Sequence, residues 1–253
     1  MTIIECLINY TDHMLSIMYC DFAANDVVTT ADNPESGNVK MNENRQNIIC
    51  ATERLLQTHG LARLTMREIA REAKVAEGLI YHHFKDKAEL IHEVVEQRMH
   101  DAKNVLQNLP LQVGLRTLSE NLEEVLSVVY RSHYEIVPIV CSVFADHQLR
   151  ARMREIMKER EVGPQHAIDG LAVYLAAEQR LGRMADNIIP EIAAKCLWMI
   201  SIQKAMDDQL IEQKPNAALI RQEIHQYVQT MMAGLEPRLP ARQKTTLKKS
   251  QKS

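Results

Sequence analysis

The stretch Thr65–Leu90, TMREIAREAKVAEGLIYHHFKDKAEL, constrains this chain more than any other. It has room for two short helices and the start of a third. Thr65 and Glu68 form an S/T-x-x-E capping box: the Thr hydroxyl takes the backbone N–H three residues on, and Glu68 returns a bond to the Thr65 N–H. Ile69, Ala70 and Ala73 then share one helical face. Lys74-Val75-Ala76 is short enough to be a turn between helices that cross at a large angle. Glu77 to Phe84 reads as the second helix, with Leu79, Ile80, Tyr81 and Phe84 as its apolar and aromatic residues. Gly78 is unfavourable inside a helix by about 1 kcal/mol. A backbone that must come close would explain it, and a phosphodiester backbone is the first candidate.

In such a helix-turn-helix the N-terminal residues of the second helix point at base edges in the major groove. Here they are Ala76, Glu77, Gly78, Leu79 and His82. Glu77 suits a cytosine amine, and Leu79 suits a thymine methyl. His82 suits a base or a phosphate. Thr65 and Arg67 open the preceding helix, whose first amides suit a phosphate, and Arg45 offers another phosphate contact. Ile69, Ala73, Ile80 and Phe84 are assigned to the core.

The stretch resembles the DNA-binding segment of the TetR/AcrR family of bacterial repressors. Thr65, Ile69, Ala70, Ala73, Val75, Gly78, Ile80, Tyr81, His83, Phe84, Lys87 and Leu90 match that family's pattern in order. The resemblance implies that Tyr81 and Lys87 are phosphate-side residues; the bland reading of Tyr81 is a core tyrosine with a wet hydroxyl. Two positions depart from the pattern. Lys74 replaces the usual Gly, so a non-Gly residue must hold the turn, with positive φ as one way to do so. Ala76 replaces the usual Ser, which removes an N-cap of about 1 kcal/mol.

Low Gly and Pro content (8 each) and 4% aromatics favour an all-α fold, and 46% hydrophobic residues supply a core. The expected architecture is an N-terminal three-helix helix-turn-helix domain followed by a C-terminal helical ligand-binding and dimerisation bundle. The expected boundaries are 1–40, 41–90, 91–235 and 236–253. The first segment carries six acids and one Lys, and is either a poorly ordered extension or a mis-called start ahead of Met41. The last has six bases against one acid and reads as a disordered tail. Over 41–90 there are 8 Lys/Arg and 7 Asp/Glu. DNA contacts must then come from placement, with a modest salt slope per subunit.

Five scattered cysteines with no C-x-x-C suit a reducing cytosol, with Cys50, Cys141 and Cys196 as small core residues. The alternative is a thiol sensor, which needs an exposed thiol of low pKa. No apolar run is long enough to span a membrane. His92, Glu96 and His100 fall at one-turn spacing, as metal ligands can. The outer two lie about 12 Å apart along a helix axis, so a solvated face is preferred. Nucleophile-elbow, P-loop and dinucleotide fingerprints are absent, so neither an enzyme nor a cofactor is expected.

A first helix is expected from Asn44 to His59, with Ile48, Ile49, Ala51, Leu55 and Leu56 as its buried stripe. A linker helix should run from Lys87 to Leu109. Further helices are expected at Gln112–Arg131, His133–Ala145, Gln148–Glu161, Pro164–Leu181, Pro190–Ile211 and Asn216–Leu235. Size and the resemblance together imply a small-molecule effector, and the apolar bias favours a hydrophobic one. His133, Tyr134, Tyr174 and Trp198 are the candidate effector contacts, and Met99, Met153, Met157, Met184, Met199 and Met206 are flexible pocket or core fillers. The resemblance also implies a homodimer through the last two helices. Ile192, Ala193, Cys196, Leu197, Ile200 and Ile202 would form one face; Leu219, Ile220, Ile224, Tyr227, Val228 and Met231 would form the other. The expected function is thus a cytoplasmic, homodimeric repressor that binds operator DNA and is released by an effector. An accessory DNA-binding factor without an effector, or a helical enzyme, is the alternative.

Overall fold

The computed structural model describes residues 35–235. The basic tail 236–253, and all of the N-terminal extension except its last residues, lie outside the described residues. The chain divides into two compact units, Met1–Glu43 and Asn44–Ser253. The described elements are ten α-helices and two short 3-10 turns, with no strand among the described residues. In chain order the helices are α1 (Glu35–His59), α2 (Met66–Ala73), α3 (Glu77–His83), α4 (Lys87–Arg98) and α5 (His100–Asn108). The second half holds α6 (Leu118–Ala145), α7 (His147–Glu159), α8 (Pro164–Arg180), α9 (Pro190–Leu210) and α10 (Ala217–Leu235).

Two apolar cores organise the second unit. The first lies around α1–α4. It holds Ile48, Ile49, Leu55 and Leu56 of α1, Ile69 and Ala70 of α2, Ile80 of α3, Phe84, and Leu90, Ile91 and Val94 of α4. Ile139 and Val143 of α6 join it, with Leu149, Met153 and Ile156 of α7. The second core is the bundle of α5, α6, α8, α9 and α10, centred on Leu122, Tyr130, Tyr174, Leu175 and Leu197. The α1 stripe is buried as expected. It includes an unforeseen Thr52, whose hydroxyl donates to the Ile48 carbonyl at 2.8 Å.

Helix ends follow local chemistry. Gly60 at φ 69° ends α1, and Gly182 at φ 72° follows α8. Pro164 and Pro190 open α8 and α9, where a missing N–H is harmless. Lys74 adopts the left-handed conformation, φ 56° and ψ 42°, at the end of α2. Ala76 opens α3 with no side-chain cap.

Several expectations need correction. α1 begins at Glu35, earlier than Asn44, and runs through Ser36-Gly37. The Thr65 box is half formed: Thr65 Oγ1 accepts from Glu68 N–H at 3.2 Å, but Glu68 receives the Thr65 hydroxyl, not its backbone N–H. The linker helix breaks at Met99 (φ −86°, ψ −1°) with no Gly or Pro to mark it. The break falls where the chain passes from one core (Val94) to the other (Met99, Ala102). Gln112–Arg131 and His133–Ala145 are one helix. It starts late, at a complete Thr117–Glu120 capping box, and passes through buried Ser132 and His133 without interruption. Cys141 and Cys196 are exposed and Cys50 is half-buried, so none of the three is a core residue.

The left-handed Lys74 carries a steric cost of about 1–2 kcal/mol that Gly would not. Lys74→Gly should therefore stabilise the protein by about 1 kcal/mol. A higher urea midpoint at unchanged slope is the expected result; a lower midpoint would show that the Lys74 side chain holds the turn.

Candidate nucleic-acid interface

The second helix of the α2–α3 pair is divided sharply between inside and outside. Ile80 is fully buried and Phe84 nearly so, which fixes the rotation of α3. Burying one such side chain is worth about 1.5–3 kcal/mol. The opposite face presents Ala76, Glu77, Gly78, Tyr81 and His82 to solvent, with Leu79 half-buried between. Tyr81 is 54% exposed, which excludes the core-tyrosine reading. A Cβ built on Gly78 would meet nothing within 4 Å, so the protein's own packing does not require glycine there. Thr65 and Arg67 are exposed at the start of α2, and Lys87 is half-buried at the start of α4.

Arg45 departs from its expected place. It pairs with Glu93 and stacks over the Phe84 ring, 5.3 Å from its centroid. It braces α1 against α4, engaged by Glu93 and Phe84 while its side chain stays 37% exposed. Beside it, His83 is held below the usual imidazole range by burial first, then by His82 and Arg45.

Glu93 is also gripped from α7. Arg160, at the end of α7, bridges Glu89 and Glu93. Arg152 of α7 donates from Nε to Asp86 Oδ2 at 2.8 Å, and Asp86 is itself the N-cap of α4. Burial pushes the Glu93 carboxyl up, but the bonds from Arg160 and Arg45 outweigh it and hold it below the usual carboxylate range. Arg98 joins Glu53 of α1 to Glu135 of α6. Sequence reasoning missed this lattice because its partners lie far apart in the chain and carry no local pattern.

His92, Glu96 and His100 do not converge. His92 is 4% exposed, with Nε2 3.9 Å from Glu96, while His100 turns to Asn104 at 2.9 Å. Glu96 also pairs with Lys103. Among the described residues no group of three metal-ligating side chains is placed to hold an ion.

Of the expected effector contacts, His133 and Tyr174 are buried in the bundle and Tyr134 and Trp198 are half-buried against it. Tyr174 is fully buried and accepts from Asn121 Nδ2 at 2.9 Å, so it is a core residue of α8. Burial raises its hydroxyl pKa, with Asn121 opposing. His133 is 1% exposed, bonded through Nδ1 to the Ser201 hydroxyl at 2.9 Å, and meets the Trp198 ring edge-on at 4.5 Å. Its Nε2 has no partner. Tyr134 is half-buried and donates to the Gln213 carbonyl at 3.2 Å. Nearby, Tyr130 donates to Asp208, which also receives Lys204 at 3.0 Å. The void between Tyr130, Ser201, Lys204 and Tyr227 is about 10 Å³, at or below the size that holds a water. Met99, Met153 and Met184 are core fillers, whereas Met199 and Met206 are exposed.

Those two methionines belong to a stripe on α9. Ile192, Cys196, Met199, Met206 and Leu210 are all exposed and follow alternating steps of four and three residues, with Gln203 in the gap. On α10, Leu219 and Tyr227 are exposed. The expected dimer face is thereby corrected: Ala193, Leu197, Ile220, Ile224 and Val228 fill the protomer's own core.

Comparison with known proteins gives a consistent result. The profile of bacterial regulatory proteins of the tetR family matches residues 48–94. The HTH-type transcriptional regulator TtgR of Pseudomonas putida is 30% identical over 165 residues, covering 62% of this chain and 75% of that protein. A TetR-family regulator structure from Mesorhizobium loti superposes with TM-score 0.63 at 17% identity, over 78% of this chain and 98% of that one. The Bacillus subtilis regulator FadR, in complex with stearoyl-CoA, does so with TM-score 0.55 at 17% identity, over 72% and 96%.

Burial pushes the His133 imidazole down to about 4. Its folded pKa lies below the unfolded value near 6.5, so the unfolded chain binds the proton first. The contribution is whole above about pH 6.5 and is lost as pH falls from there through 4, for a total of about 3 kcal/mol. His133→Gln should flatten the drop in melting temperature over that window; an unchanged drop would place the acid sensitivity elsewhere.

Proposed function

Because the chain belongs to the TetR family of bacterial regulatory proteins, and is thereby a DNA-binding transcriptional regulator, we propose that it acts as a homodimeric, cytoplasmic, ligand-responsive repressor. The observation that carries the reading is the division of α3: Ile80 and Phe84 are locked in the core while Glu77, Gly78, Tyr81 and His82 face solvent. A helix so placed enters a major groove with its N-terminal residues toward the bases. Glu77 and Leu79 read base edges. Tyr81, Lys87, Arg67 and the first turn of α2 at Thr65 position the phosphate backbone. Gly78 lets that backbone approach.

The proposed dimer forms through the exposed stripe of α9 and the outer side of α10. Two protomers joined there place two readers on one DNA face, about 34–36 Å apart or a multiple of that. No helix among the described residues is long and apolar enough to cross a membrane.

The proposed effector is small and hydrophobic. The FadR relative holds stearoyl-CoA, and only the apolar character of that ligand is extended to this chain. Of the four residues first considered, His133 and Trp198 remain the best contacts, because His133 Nε2 is buried without a partner. The void beside Ser201 is too small for any ligand, so an effector must displace side chains there. It acts through its differential affinity for the DNA-bound and released states.

Selection from random duplexes should recover a paired half-site. Tyr81→Ala should lower affinity about tenfold for every duplex and flatten the salt dependence only slightly, whereas Glu77→Ala should change which base is preferred. Equal losses on all duplexes for both variants would contradict the assigned roles. Met199→Asp should convert the dimer to monomer by light scattering and weaken binding to the paired site. An intact dimer would move the interface away from α9.

A further inference from the structure

α6 belongs to both cores, and Pro138 marks the crossing. Ile136 and Val137 are its last buried residues in the bundle core, with half-buried Val140 packed against that core one turn on; Ile139 and Val143 are buried in the core shared with α2 and α3. Pro138 has no N–H, so the Tyr134 carbonyl, one turn earlier, loses its helical donor. That carbonyl instead accepts from Gln209 Nε2 at 2.7 Å. Gln209 lies in the last turn of α9, and Tyr134 Oη donates to the backbone of Gln213 just beyond that helix, at 3.2 Å. One residue before Gln209, Asp208 takes the Tyr130 hydroxyl. Thus three groups on α6, one turn apart, are held by the end of α9. Past the proline, the Ser142 hydroxyl donates to the Pro138 carbonyl at 2.8 Å, a bond that favours bending of the helix.

We infer that Gln209 is a positioning residue for DNA recognition: its amide stands in for the hydrogen bond Pro138 cannot make, and so couples the end of α9 to the direction of the α6 segment that joins the reader's core. The inference rests on the reading of α2–α3 as the DNA reader and of α9 as a dimer helix. An amide donor is essential to it. A carboxylate of the same length would face the Tyr134 carbonyl acceptor to acceptor. An alanine at position 138 would restore the internal N–H and make Gln209 dispensable.

The test is a double-mutant cycle on the full chain, using the duplex recovered from random-sequence selection and versions of it with one base pair added or removed between half-sites. Gln209→Ala and Gln209→Glu should each lose about tenfold in affinity for the selected spacing, the worth of one part-buried hydrogen bond, and lose less on altered spacings. Pro138→Ala combined with Gln209→Ala should recover most of that affinity. Circular dichroism melts on all variants separate this from simple destabilisation. Additive losses in the double variant, or an equal loss at every spacing, would overturn the inference while leaving the DNA reading intact. Failure of the unmutated protein to select any duplex would overturn both.

Discussion

The α2–α3 reader has no complete core of its own. Its core is completed by Ile139 and Val143 of α6 and by Leu149, Met153 and Ile156 of α7, all distant in sequence and packed chiefly against α4. A helical unit of about 50 residues buries too small a fraction of its surface to be robust alone. Borrowing core residues from the regulatory half solves that problem. It also means that a shift in α6 or α7 reaches the recognition helix through α4, because close-packed interiors transmit displacement and do not absorb it.

Charge reinforces the same joint. Arg152 and Arg160 reach from α7 to Asp86, Glu89 and Glu93 on α4, and Arg45 closes the chain by stacking on Phe84. Exposed pairs are individually worth little, about 0–1 kcal/mol. Glu93 is 17% exposed and has two guanidinium partners, so removing either would leave a half-buried carboxylate short of donors. The lattice is better understood as setting orientation than as supplying bulk stability.

Much of this was legible in the residues and some was not. The reader could be found because its signals are local: the Thr65 cap, the short turn at Lys74-Val75-Ala76, the glycine at 78, and the apolar spacing of Ile69, Ile80 and Phe84. Helix existence in the bundle was equally plain from Pro164, Pro190 and Gly182. Continuity was harder. Nothing in the sequence marks the break at Met99, because two separate cores cause it, and nothing local shows that α6 runs unbroken past His133. Arg45 looked like a free cation until Glu93 was brought beside it by folding. Part of the expected dimer face turned out to be protomer core: periodicity cannot tell which of two apolar stripes on α9 faces its own bundle, and the protomer's packing on Leu197 decides it.

Gly78 has a consequence of its own. The space around it is empty, so an alanine would fit, and helix propensity would reward the change by about 1 kcal/mol. Under the proposed role of Gly78 at the DNA backbone, any screen that enriches variants for heat resistance alone would drift toward a sturdier molecule with a blunted probe. On that proposal, robustness and recognition compete at this position.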